Sequence, residues 1–332
     1  MPSLTPEELL TCVEAAIRAP SIHNTQPWLF LPVSDGIEVY ADLSRRLPAI
    51  DPQGRAMHIS LGAAVLDLRV ALAHLGRQPD TELLPDPANP RHVATVRTDL
   101  PGSPGVDDHE LYAAIGRRHS NRGPFADVPP QEPALERLRA AARTEGAALH
   151  LADAAERDAL LSLARTADAR RRADPAYRAE LRDWTTDDPY REDGVPLEAV
   201  GPWSEREAVP IRDMALDREI PGRHAVGFER EPVVAALVTY GLDGPEQWLS
   251  CGQALQRVLL EATRCGLAVS LFTQPLEDPE LRELLQDHEH LTSVQVALRI
   301  GYGQPAAGSP RRPAGEVIVR ERPVPVRPPR FG

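Results

Sequence analysis

Two short stretches concentrate residue types that bind small molecules. The first is Ala19-Pro20-Ser21-Ile22-His23-Asn24-Thr25-Gln26-Pro27-Trp28-Leu29-Phe30, which sets Ser, Asn, Thr, Gln and Trp among two prolines. An ordinary turn manages with one Gly or Asn, so a connection this rich in hydrogen-bonding groups predicts a loop that holds a ligand. The second is Arg117-Arg118-His119-Ser120-Asn121-Arg122-Gly123-Pro124-Phe125. In an extended chain Arg118, Ser120 and Arg122 fall on one face. Two guanidinium forks flanking a hydroxyl suit a phosphate and the polar edge of a ring. Taken alone, the same segment also reads as a charged interdomain linker. A third cationic spot, Arg311-Arg312, is by itself an ordinary surface feature.

Other chemistries lack their residues. Gly301-Tyr302-Gly303 is the close glycine pair after a strand-like run, and no helix pattern follows it, so a dinucleotide fingerprint is not met. The chain contains no lysine, which removes a phosphate loop ending in Gly-Lys. His288 and His290 are too close together and too acid-flanked for a zinc motif, and read as a solvated turn. No serine nucleophile elbow occurs. No catalytic side chain and no metal ligand is assigned. His23 and His119 are tempting as proton carriers, but a structural hydrogen-bonding role is the plainer expectation.

The elements that must position these stretches follow from caps and periodicity. Thr5-Pro6-Glu7-Glu8 opens a helix with an N-cap, a proline and an acidic third position. Leu9, Val13, Ala16 and Ile17 give it one apolar face, and Pro20 ends it. Trp28 to Leu31 and Ile37 to Tyr40 read as a hairpin about Ser34-Asp35-Gly36. A long helix is expected from about Ser60 to Leu75, stopping at Gly76, and another from Ser250 to Cys265, stopping at Gly266.

Laid over one another, these long helices match Ser60 with Ser250, Gly62 with Gly252, Ala64 with Ala254 and Gly76 with Gly266. Pro6 to Arg18 and Glu132 to Arg143 each read as a helix followed by a strand. Val93 to Val96 and Val294 to Ile300 each read as a later apolar strand. The pattern is one α+β unit written twice, with units expected at 1–110 and 111–332. The second unit carries an extra segment at about 165–230, with Trp184, Trp203 and Met214. Connections that long are usually lids, binding loops or disordered linkers, and its tryptophans, Ile and Leu favour a folded lid. The proline-rich end, Glu321 to Gly332, should be extended.

Bulk properties bound the function. The chain has 332 residues and a net charge of −12, with 37 basic residues, all arginine. The acidic balance argues against a nucleic-acid partner, which needs a clustered basic face. Three cysteines without close spacing read as reduced and cytosolic. No apolar run approaches the roughly 18 residues of a membrane span, so a soluble, cytoplasmic protein is expected.

The pair "PSIHNTQPW" and "RRHSNRGPF" resembles the flavin-binding signature of the FMN-dependent nitroreductase superfamily. Members of that family are homodimers in which each FMN is held by both subunits, one giving the Arg-x-Ser-x-Arg/Lys segment and the other the Pro-Ser loop. Here the Pro-Ser loop stands only in the first half and the Arg segment only in the second. The chain therefore resembles a nitroreductase dimer fused into one polypeptide, as in the Acg-like branch, whose pattern "WLSCGQALQRVLLEATRCGLAVSLFTQPLEDPELRELL" and "RIGYG…PRRP" also follow.

The resemblance implies a nitroreductase-like α+β fold forming an intramolecular pseudo-dimer, with one FMN per chain. By position, Pro20, Ser21, Ile22 and Asn24 should touch the ring or ribityl chain, with Gln26, Pro27 and Trp28 bracing the loop. Arg118, His119 and Ser120 should hold phosphate and ribityl oxygens, with Arg311 or Arg312 closing on the phosphate. Arg122 should lie near the N1–C2 carbonyl edge, and the backbone at Thr273, Gln274 and Pro275 should approach N5. The implied activity is hydride transfer from NAD(P)H to a nitroaromatic or quinone-like acceptor. The implied partners are small molecules, in a monomer or weak homodimer. Two other readings use the same site: a non-catalytic flavoprotein that sequesters FMN under a closed lid, and a flavin-dependent dehydrogenase of a natural-product intermediate.

Overall fold

Thr5 starts the chain's first helix as a capping box requires: its hydroxyl accepts from Glu8 N at 3.1 Å, and the Glu8 carboxylate accepts from Thr5 N at 2.8 Å. That helix, α1, spans Pro6–Ala16 in the computed structural model, which describes residues 4–101, 105–204, 209–216, 218–306 and 308–325. The hairpin β1 (Trp28–Val33) and β2 (Gly36–Ala41) follows, then helix α2 (Arg55–His74), β3 (Arg77–Leu83) and β4 (His92–Pro101). These four strands form one antiparallel sheet in the order β1-β2-β4-β3.

After α3 (Val106–Ile115) the sequence of elements begins again. Helix α4 (Glu132–Thr144) leads into β5 (Ala148–Leu151). An inserted region follows, with helices α5 (Ala154–Arg172) and α6 (Pro175–Asp183). It also holds two small parallel pairs, β6 (Thr185–Thr186) with β7 (Val195–Pro196) and β8 (Trp203–Ser204) with β9 (Ala225–Val226). Then come β10 (Val233–Tyr240), α7 (Pro245–Arg264), β11 (Ala268–Phe272), short helices α8 (Gln274–Glu277) and α9 (Pro279–Glu283), β12 (Gln286–Asp287) and β13 (Thr292–Gly301). The second sheet reads β5-β10-β13-β11, with β12 on β13. With β5, β10, β11 and β13 taken as counterparts of β1, β2, β3 and β4, both sheets have the same strand order.

The fold is α+β, and its centre is the contact between α2 and α7. Both helices are 20 residues long and begin 190 positions apart, at Arg55 and Pro245. Gly62 and Gly252 meet face to face there. A Cβ built on Gly62 would stand 2.1 Å from the Leu249 carbonyl oxygen, and one on Gly252 would stand 2.1 Å from that of Ile59. Only glycine lets the two backbones come this close. Helix α2 is long and apolar enough to cross a membrane by composition, but 78% of that window is buried inside the fold, which accounts for its character.

Three features differ from the sequence expectation. The expected boundary at 110 falls inside α3. The inserted region starts earlier than 165, because Asp153 and Glu156 form a capping box that launches α5 directly after β5. The two tryptophans of that region, read alike from the sequence, part ways: Trp203 is 46% exposed under the Arg223 guanidinium, while Trp184 packs beside Leu47, Ile50, Tyr177, Leu181, Val195 and Met214.

The chain's last described stretch crosses back to the first sheet. Helix α10 (Ala314–Val317) is followed by Ile318, which bridges Phe30, and Val319 N donates to Phe30 O at 2.9 Å. Arg322 then pairs with Glu38 at 2.6 Å. Residues 321–325 continue without helix or strand, and the rest of the expected extended tail lies outside the described residues.

Candidate functional site

The Pro20–Trp28 loop is strained and firmly held. His23, Asn24 and Gln26 all adopt left-handed backbone, with φ of 49°, 55° and 50°. A non-glycine residue there costs on the order of 1–2 kcal/mol, so three in four positions persist only where surrounding contacts fix them. Gln26 is fully buried and supplies much of that hold. Its Nε2 donates to Glu192 O at 2.8 Å, its Oε1 accepts from Arg312 N at 2.9 Å, and its backbone N donates to Ser21 Oγ at 3.0 Å. Ile22 N donates to Ser60 Oγ of α2 at 3.2 Å.

The loop forms one wall of a cleft between the two sheets' helices and the inserted region. Of the residues singled out in the sequence, Pro20, Ser21, Ile22, Asn24, Arg118, His119, Ser120, Arg122, Thr273 and Arg311 all line it. The Arg segment lies against β11, where Ser120 bridges Val269 and Asn121 N donates to Val269 O at 2.9 Å.

Gln274, Pro275 and Arg312 are not among the lining residues. Gln274 is buried and its Nε2 donates to Pro210 O at 3.1 Å, inside the inserted region. Pro275 is buried at the start of α8. Arg312 turns back to the loop, where its Nη1 reaches Gln26 O at 3.3 Å. Asn24 lines the cleft, but its amide is occupied: Nδ2 donates to Gly194 O at 2.9 Å and Pro310 O at 3.0 Å, and Oδ1 accepts from Arg311 at 3.0 Å. It braces the walls to one another.

The electrostatics of the cleft divide into two ends. At one end stand buried Arg118 and half-buried Arg311. Burial pushes Arg311 down to about 9, with further help from Arg118 and Arg18, and burial also lowers Arg118. Arg118 Nε and Arg311 Nε are buried without a hydrogen-bond partner. The nearby carboxyl of Asp67 is held by Gln256 Nε2 at 2.8 and 2.9 Å, and burial raises it to about 8. At the other end Arg122 donates to Ala199 O at 2.8 Å, and burial followed by the neighbouring Arg212 pushes it down to about 10. Among the described residues, no carboxylate lies within ion-pair distance of Arg118, Arg122 or Arg311. Arg212, by contrast, is fully engaged by Glu277 at 2.5 Å, Thr273 Oγ1 at 3.1 Å and Tyr177 Oη at 3.1 Å.

The inserted region closes over this end through Val195, Ile211, Arg212 and Met214. Gly201, at φ 78°, lets it settle against Arg122, since a Cβ there would stand 2.9 Å from Arg122 Cβ. Gly194, whose carbonyl accepts from Asn24, and Gly201 are thus docking points of the inserted region. Sequence reasoning missed Arg212, Arg55, Ser60 and Gln295, which also line the cleft. Ser60 had a usable signal, as a small polar residue in a helix that also carries Gly62. Arg212 had none, being one arginine among many in an irregular segment. His23 was expected to be a structural hydrogen-bonding residue, yet neither of its ring nitrogens has a partner. His288 and His290 are exposed and pair with Glu283 and Asp287.

No protein-family model matches the chain. A Mycobacterium tuberculosis protein named "Putative NAD(P)H nitroreductase acg" is 30% identical over 322 residues, covering 95% of this chain and 96% of that protein. An uncharacterised protein of the same organism is 31% identical over 331 residues, covering 95% and 94%. Among solved structures, a Bacteroides fragilis nitroreductase with bound FMN shares 16% identity over 65% of this chain and 94% of its own, at a TM-score of 0.36. A nitroreductase-like protein from Bacillus cereus shares 15% over 64% and 96%, at 0.39.

Proposed function

The chain belongs to the NAD(P)H nitroreductase family, in its Acg-like branch, and from that premise we propose that its central cleft binds one FMN for NAD(P)H-dependent reduction of a nitroaromatic or quinone-like acceptor. The observation that carries the reading is that three guanidiniums line a single cleft, buried Arg118 and half-buried Arg122 and Arg311, with no carboxylate partner among the described residues. Withdrawing unpaired charge from water is costly, most of all at Arg118, so such a set calls for an anionic ligand. Arg118 and Arg311 would take the phosphate, with His119 and Ser120 beside it. Arg122, at the other end of the cleft, would face the polar edge of the ring. Its fixed positive charge suits a ring on which negative charge develops. When bound, FMN supplies hydride chemistry that no side chain here can provide.

The same reading treats the two halves as one unit written twice, divided after α3 rather than at 110. The shared strand order and the 190-residue spacing of α2 and α7 support it. One FMN per chain is proposed because the Arg-x-Ser-x-Arg segment occurs once.

Mixing the FMN-loaded protein anaerobically with NADH and with NADPH tests the activity. Loss of flavin absorbance with either nucleotide is expected. A second reading, FMN sequestration, is favoured by the attachment of the inserted region to the Pro-Ser loop through Gln26 with Glu192 and Asn24 with Gly194, and through Arg45, which donates to Thr25 O at 2.9 Å and pairs with Asp193 at 2.7 Å. A protein that binds FMN but is bleached by neither nucleotide would replace the first reading with the second.

A further inference from the structure

His23 is a buried imidazole whose hydrogen-bonding capacity the fold leaves unused. Its side chain lines the cleft, the residue is 5% exposed, and both Nδ1 and Nε2 lack any partner. Each unmade hydrogen bond of a buried polar group is costly, and native interiors leave few of them. The ring is also not free to turn away. Its backbone sits at φ 49° and ψ 24°, locked by the contacts of Asn24 and Gln26 on its C-terminal side.

The groups around it do not meet this need. Arg212 from the inserted region, Arg122 from the Arg segment and Glu277 from α8 are the charged groups that face it. Arg212 directs its guanidinium to Glu277, Thr273 and Tyr177, and Arg122 donates to Ala199 O. Burial first, then Arg212 and Arg122, push the His23 ring down to about 3. At neutral pH it therefore offers one N–H donor and one bare nitrogen, and no positive charge.

We propose that His23 hydrogen-bonds the conjugated ring system of the flavin in the cleft, as a neutral imidazole beside Arg122. The inference rests on the FMN reading and adds a side chain to it. A ligand whose phosphate lies at Arg118 and Arg311 presents its ring toward the Arg122 end, where His23 stands. The chemistry is that of a ring-borne carbonyl or ring nitrogen meeting an uncharged donor or acceptor. No proton changes owner, which separates this role from acid catalysis.

The test uses equilibrium FMN titration of the apo protein, followed by flavin fluorescence, for wild type, His23→Gly and His23→Asn. Glycine accepts the left-handed backbone without strain, and asparagine tolerates it while keeping a donor and an acceptor. Circular dichroism confirms that each variant is folded. The expected result is an FMN Kd at least fivefold weaker in His23→Gly, with His23→Asn recovering at least twofold of that loss. The Kd ratio of wild type to His23→Gly should also be constant from pH 5 to 9. A loss smaller than fivefold, or no recovery with asparagine, overturns the proposal. Absence of FMN binding by the wild type would instead remove the parent reading.

Discussion

Gly62→Ala is the sharpest test of how the two halves are joined. The added Cβ would stand 2.1 Å from Leu249 O, 2.9 Å from Leu249 C and 3.0 Å from Gly252 Cα. All three obstacles are backbone atoms, so no side chain can swing aside. Restoring ordinary contact near 3.5 Å requires α2 and α7 to part by roughly 1.4 Å. Overpacking of this kind costs about 1–3 kcal/mol, and a rigid obstacle places it at the upper end. Alanine returns about 1 kcal/mol of helix propensity, leaving a net loss of about 2 kcal/mol. Urea unfolding should show a lower midpoint at unchanged slope. The double variant Gly62→Ala/Gly252→Ala should lose less than the sum of the single changes, because the first substitution has already separated the helices. FMN affinity should fall too, since α2 brings Ile59 and Ser60 to the cleft and α7 brings Leu255. A neutral or stabilising Gly62→Ala would refute the close-contact argument.

Two further outcomes follow from the cleft. Arg118→Ala and Asn24→Ala should each purify largely free of FMN, the first by losing phosphate charge and the second by loosening Arg311 and Gly194; two fully yellow variants would contradict the clamp. Asp67 gives a pH dependence to the apo protein. Its folded pKa, about 8, lies above the ordinary carboxyl value, so its contribution is full below about pH 4 and is lost as pH rises through 8. Stability should decline over that window by at most about 1.4 kcal/mol per pH unit. Asp67→Asn should flatten the decline, measured as Tm against pH, whereas an unchanged slope would show that Asp67 is not its source.

Local signals reached the sequence reader and distant ones did not. The capping box at Thr5 and the stop glycines Gly76 and Gly266 each act within a few turns of chain. They gave α1 and the two long helices. Strand β3 was missed because Arg77–Leu83 alternates half-exposed and exposed residues with few β formers. Strand β10 was missed although Val233–Tyr240 is continuously apolar, a pattern that periodicity alone does not separate from helix. The site divides the same way. Arg118, Ser120 and Arg122 announce themselves by alternation. Nothing local marks Arg312 as a brace for Gln26, 286 residues away, or Asn24 as a partner of Gly194, 170 residues away. Those roles are decided by which backbone carbonyls the fold happens to bring near.

The central claim is that a single flavin sits between the two halves, gripped by Arg118, Arg122 and Arg311. The most direct measurement is the stoichiometry of FMN uptake by the apo protein, titrated at concentrations well above the Kd. A sharp end point at one FMN per chain is predicted. No uptake, or an end point at two per chain, would contradict it.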